Sequence, residues 1–162
     1  METDMTDLPD MSLTLDVTVT GTVDASGNVS VSAIYSQAGS NPVSSNVVDS
    51  SGDIDLNNMA YDSSSYNVDT DITVNLSGQI TDTNGNSVNF SFPQQAAQAV
   101  TITRDGGGNS DINALPGNSL MQVIIDDNDD DGAAYSYCLS LWVETAPPDG
   151  QLVALDPRIV NR

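Results

Sequence analysis

Leu13, Leu15, Val17 and Val19 alternate strictly with Thr14, Asp16, Thr18 and Thr20. A period of two places one set on one face of a strand and the other set on the opposite face, whereas a helix would scatter both around its circumference. Tyr135, Tyr137, Leu139, Leu141 and Val143 repeat the pattern, with Cys138 and Trp142 on the other parity. Tyr66, Val68, Ile72, Val74 and Leu76 carry it on even positions. No segment holds a helical period for about ten residues. The chain is therefore constrained to an all-β fold built from half-buried strands.

Turn chemistry divides these strands. Asp24-Ala-Ser-Gly-Asn28 separates the first run from Val29, Val31, Ala33 and Tyr35. Asp82-Thr-Asn-Gly-Asn86 separates Ile80 from Val88, Phe90 and Phe92, and Pro93 ends that run. Glycine in such turns supplies the positive φ that a hairpin connection requires. The two hairpins echo each other as strand, Gly, strand, Asp-x-x-Gly-Asn turn, strand. That echo reads either as duplication of a half-domain or as shared hairpin grammar. Residues 36–65 are rich in Ser, Asn, Asp and Gly, with short apolar pieces at Val43, Val47-Val48, Ile54 and Leu56. Ala99–Arg104, Ser119–Ile125 and Gln151–Leu155 read as further strands, and Asp105-Gly-Gly-Gly-Asn-Ser-Asp111 as a loop. About eight to ten short strands with uneven central loops predict an antiparallel β-sandwich, Greek-key and immunoglobulin-like. The sandwich spans 11–162 and is preceded by a loosely ordered acidic arm over 1–10.

The charge excludes several function classes. Twenty-three acidic residues face three basic ones, Arg104, Arg158 and Arg162, for a net charge of −20. Nucleic acid and anionic membranes are repelled, because phosphate recognition needs clustered Lys and Arg. The charge favours cations or basic partners. Without His or Lys, neither a Ser-His or Cys-His pair nor a Schiff-base lysine can form. Cys138 is the sole cysteine, so no intrachain disulfide forms. Its mid-strand place reads as structural. The acidic start lacks an apolar leader core, and no apolar run approaches ~20 residues. The expected location is cytoplasmic, or exported without a cleavable leader, with no membrane insertion.

The densest acid lies at Asp126–Asp131, five Asp and one Asn in six residues. Asp127-x-Asp129-x-Asp131-Gly132 matches the first half of a Ca²⁺-loop pattern. Calcium takes six to eight oxygens at ~2.3–2.6 Å, and alternate residues of a tight loop can aim carboxylates inward. An EF-hand would place Glu where Cys138 stands, so the loop is not an EF-hand. The candidate ligands are Asp126, Asp127, Asp129 and Asp131, with Asp105 and Asp111 from the glycine-rich loop completing the set. The competing reading is a solvated turn in an already acidic protein.

The tail Ala154-Leu-Asp-Pro-Arg-Ile-Val160 resembles the end of bacterial inclusion-body proteins of the AidA/PixA type, which finish on a β-strand and an Asp-Pro-x-Ile segment. The match covers under a tenth of the chain, and what it implies is self-assembly. The leading expectation is a non-enzymatic β-sandwich for binding or self-assembly, with itself or another protein as partner, stabilised by Ca²⁺ if the acidic loop chelates. The alternative is a carbohydrate-binding, adhesin-like module that takes a glycan. A carboxylate-dependent hydrolase stands third.

Overall fold

The structure, a computed structural model, describes residues 7–108, 112–128, 134–146, 149–155 and 158–160. The chain is nearly all β, as the alternation requires. Its strands in chain order are β1 (Met11–Val23), β2 (Val29–Asn41), β3 (Ile54–Asp55), β4 (Thr70–Thr81), β5 (Ser87–Val88), β6 (Phe90–Ser91), β7 (Val100–Arg104), β8 (Ile112–Pro116), β9 (Gln122–Asp127), β10 (Ala134–Ala146), β11 (Asp149–Leu155) and β12 (Arg158–Val160). One helical turn, α1 (Ala96–Ala99), precedes β7, and a 3-10 turn over Leu56–Asn58 follows β3. Among the described residues no helix is long and apolar enough to cross a membrane.

The strands form two sheets. In the first the order is β2-β1-β4-β9-β8, with β5 also on β4. In the second β10 is central. It is flanked on one side by β11 and β12 and on the other by β6 and β7, because Trp142 pairs with both Leu152 and Ser91, and Tyr135 with both Ile159 and Arg104. The expected sheets are purely antiparallel, but both are mixed, since β12 and β3 of the second sheet also pair in parallel. β1 and β4 run parallel in unbroken register from Met11↔Thr70 to Thr22↔Thr81. Parallel neighbours need a long crossover, and the loop-rich stretch between β2 and β4 supplies it.

Both sheets turn their apolar faces to one core. Leu13, Leu15, Val17, Val19, Ile72, Val74 and Ile125 on the first sheet join Tyr135, Leu139, Leu141 and Val143 on the second, all fully buried. Each such side chain contributes about 1.5–3 kcal/mol relative to exposure. The loop after β2 folds back into this interior. Tyr137 Oη donates to the Gly52 carbonyl at 2.6 Å. Gly52 has φ +86°, and a Cβ there would meet the Tyr35 ring at 2.6 Å.

The Asp-x-x-Gly turns share one hydrogen-bond set. Asp24 Oδ1 accepts from the Ser26 and Asn28 amides at 2.8 and 2.9 Å. Asp82 Oδ1 accepts from the Asn84 and Asn86 amides at 2.8 and 2.9 Å. A third copy occurs at Asp49, whose Oδ1 accepts from the Ser51 and Asp53 amides at 2.8 and 3.0 Å. This third turn lies outside the echoing hairpins. The shared element is therefore turn chemistry, and a duplicated half-domain is not needed to explain it.

Candidate functional site

The predicted calcium ligands divide between the two sheets. β9 runs on through Asp126 and Asp127, so consecutive carboxylates leave opposite faces of the strand. Asp127 is 2% exposed and stands in register between Thr70 and Ile112. Asp126 stands between Asp71 and Asn113 and accepts from Asn128 Nδ2 at 3.0 Å. Asp105 opens the turn that follows β7 of the second sheet. Its amide donates to the Ala134 carbonyl at 3.0 Å and its Oδ1 accepts from Ser136 Oγ at 3.0 Å. Asp111, Asp129 and Asp131 lie outside the described residues. Among the described residues, no group of three or more acidic, Cys or His side chains is arranged to hold a metal ion.

What the structure does assemble is an acidic end on the first sheet, in which residues away from the predicted loop take part. Burial, followed by the Asp126 and Asp10 charges, a hydrogen bond with Asp126 and the Asp69 charge, raises the Asp71 carboxyl above its ordinary range. Asn67 ties the chain before β1 to this end. Its amide donates to the Pro9 carbonyl at 3.0 Å, and its Nδ2 donates to the Leu8 carbonyl at 3.3 Å and to Asp10 Oδ1. Elsewhere carboxylates serve geometry. Backbone and side-chain bonds from Asn28 hold the Asp24 carboxyl low, the Asn86 amide does the same for Asp82, and the Ser64 hydroxyl and amide for Asp62.

A second feature is the outer edge of the first sheet. β2 is thirteen residues long and, among the described residues, pairs with β1 alone. Its sequence, Val-Ser-Val-Ser-Ala-Ile-Tyr-Ser-Gln-Ala-Gly-Ser-Asn, contains no charge and no proline. Ser30, Ser32, Ile34, Ser36 and Ala38 form its exposed face, and Ile34 is 69% exposed. Natural edge strands are usually blunted by charge, proline, shortness, a bulge or a cover, and of these β2 itself carries a bulge at Ala38. The opposite edge obeys this rule, since β8 has only five residues and ends on Pro116. In the second sheet, β11 opens with Asp149, and its Gln151 Nε2 donates to the Gly27 carbonyl at 2.7 Å. The uncharged run of β2 was visible in the sequence, but its edge position depends on nonlocal pairing.

Cys138 is the thiol that the sequence places mid-strand. It is half-buried in the middle of β10, with Sγ 3.7 Å from the Leu139 carbonyl.

No protein-family model matches the chain, and no curated protein matches it. Among solved structures, it is similar to an inclusion body protein (PixA) from Burkholderia cenocepacia, at 9% identity and a TM-score of 0.41, over 99% of this chain and 100% of that one.

Proposed function

We propose that the protein is a non-enzymatic assembly module whose copies join along β2. The carrying observation is the long, charge-free β2 edge in a chain of net charge −20. Strand addition satisfies the outward backbone groups of an edge and places side chains on alternating faces. Two β2 strands related by a two-fold axis would pair antiparallel and continue one sheet into the next. Repulsion between two such acidic copies is least where the surface carries no charge. Salt should therefore strengthen assembly, because exposed charges more than about 8 Å apart are screened at physiological ionic strength.

The test is light scattering coupled to size exclusion, across concentration and salt. The wild type is expected to form dimers or larger species that grow with salt. Ile34→Lys with Ser36→Lys should give a monomer with an unchanged circular dichroism spectrum. A monomeric wild type at every concentration and salt would refute the proposal.

Calcium enters this reading as a counter-ion at the acidic end of the first sheet. The support is Asp71, whose carboxyl is raised first by burial and then by the Asp126, Asp10 and Asp69 charges beside it. A dication that binds only the folded chain stabilises it by mass action.

A further inference from the structure

We infer that a cleft on the outer side of the second sheet, walled by Trp142, binds a neutral saccharide. Trp142 lies on the β10 face opposite the core residues Leu141 and Val143, between Ser91 and Leu152 in the ladder. Its indole is seated against Gly150 of β11. A Cβ on Gly150 would come within 2.8 and 2.9 Å of the indole Cε2 and Cζ2 and within 2.5 Å of the Val143 carbonyl oxygen. A glycine inside a strand often marks such a close approach. Here it fixes the ring on one side and leaves the ring as a wall of a cavity of about 400 Å³. That volume lies within the range of small-molecule sites, roughly 300–1,000 Å³.

The rest of the lining mixes apolar Phe92, Pro93 and Leu120 with polar Ser91, Gln94, Gln98 and Glu144. The Phe92 amide donates to the Leu120 carbonyl at 2.8 Å, which links the end of β6 to the β8–β9 connection. Ser91 Oγ donates to the Phe92 carbonyl at 2.9 Å. Glu144 is fixed by Asn89, whose carbonyl accepts the Glu144 amide at 2.9 Å and whose Nδ2 donates to Oε2 at 3.3 Å. Gln94, just before α1, and Gln98, within it, are both exposed and line the cleft. A smaller hollow of about 230 Å³ adjoins across Phe92, Gln94 and Leu120, so the cleft has room for a second ring.

These groups match a sugar. A pyranose offers an apolar C–H face to an aromatic ring, and its hydroxyls both donate and accept. Glutamine amides and serine hydroxyls likewise do both. The net charge of −20 disfavours uronates and sulfated sugars. A quaternary ammonium would favour a cage of several aromatic rings, whereas the aromatic residues lining this cleft are half-buried Trp142 and buried Phe92, and Glu144 Oε2 already accepts from Asn89.

Trp142 is the only tryptophan, so its fluorescence reports on the cleft alone. The probes are glucose, galactose, mannose, N-acetylglucosamine, and the disaccharides cellobiose, lactose and chitobiose. Glucuronate and choline are the charged controls. At least one neutral probe should change the emission saturably, with an affinity of about millimolar. Gln94→Ala and Gln98→Ala keep the reporter, and each should weaken binding roughly 3- to 10-fold. Flat emission across the neutral panel to high-millimolar concentration would overturn the inference. Saturation by choline or glucuronate with silent neutral sugars would do so too, as would sugar binding unaffected in the double glutamine variant.

Discussion

Tyr137→Phe removes one oxygen from the centre of the molecule, and its cost can be worked from the structure. Tyr137 is 1% exposed and Gly52 is buried. The lost bond, at 2.6 Å, ties β10 to the crossover loop and leaves a buried carbonyl without its donor. Stranding a buried acceptor costs about 1–3 kcal/mol. In a domain of this size each kcal/mol lowers Tm by about 2–4 °C, so a central cost of about 2 kcal/mol gives a drop of about 4–8 °C. Tyr66→Phe is the matched control. Tyr66 Oη donates at 2.7 Å to Asn41 Oδ1 on the surface, where water replaces the lost partner, and the expected cost is under about 0.5 kcal/mol. Burial above all, then the charges of Tyr35, Asp53 and Asp49, push the Tyr137 phenol well above its ordinary value. A group raised on folding contributes stability that is complete below the unfolded pKa, about 10, and is lost as pH rises toward the folded value. The phenylalanine variant lacks that loss, so its deficit against wild type should narrow above about pH 10. Urea denaturation at pH 7 and through the alkaline range reads both effects. Equal costs for the two variants at pH 7, or a gap that stays constant through the alkaline range, would refute the reasoning.

The acid range separates two kinds of carboxylate. The stability held by Asp24, Asp62 and Asp82, whose folded pKa values are lowered, is present above the ordinary Asp value and disappears as pH falls through the lowered ones. Replacing all three with Asn should flatten the acid limb of a pH-stability curve. Asp71 has the opposite sign. Its contribution is greatest below the ordinary Asp value and is lost as pH rises through the raised one, so Asp71→Asn should raise the neutral-pH urea midpoint. In thermal melts millimolar Ca²⁺ should raise Tm, with a smaller increment in Asp71→Asn, and an unchanged Tm with Ca²⁺ removes the counter-ion reading. Gly78→Ala should cost about 3 kcal/mol or more, because Gly78 has φ +116° and its Cβ would lie 1.9 Å from the Val19 carbonyl oxygen. Chemical denaturation measures it.

Strands that pack against the core along their whole length were legible in the sequence. The alternations of β1 and β10 end as fully buried rows at Leu13–Val19 and Tyr135–Val143. Short strands that change sheet were not. Val88, Phe90 and Phe92 read as one strand, but Val88 pairs with Ile80 in the first sheet while Phe90 pairs with Val143 in the second. Alternation cannot reveal a switch of partner at Asn89. β8 went unread beside the glycine-rich loop, and the helical turn over Ala96–Ala99 is too short to show a period. Val43, one of the short apolar pieces of the central stretch, is 90% exposed in a loop. The acidic stretch announced its composition plainly, yet its geometry depends on β9 continuing through Asp127 and on Asp71 arriving from β4. The uncharged run of β2 could be read directly, but only the sheet order makes it an edge.

The parallel β1–β4 pairing also sets an order of events during synthesis. Once β2 has emerged, β1 has one neighbour and lacks the other until residues 70–81 follow. Through that interval the young hairpin displays Leu13, Leu15, Val17 and Val19 and has an open flank on each side. Partly built sheets of this kind are the species most exposed to capture by another chain. When β4 docks, it closes the inner flank along its whole length and leaves only the outer one. The finished molecule thus keeps, along β2, one of the two flanks that its early hairpin leaves open.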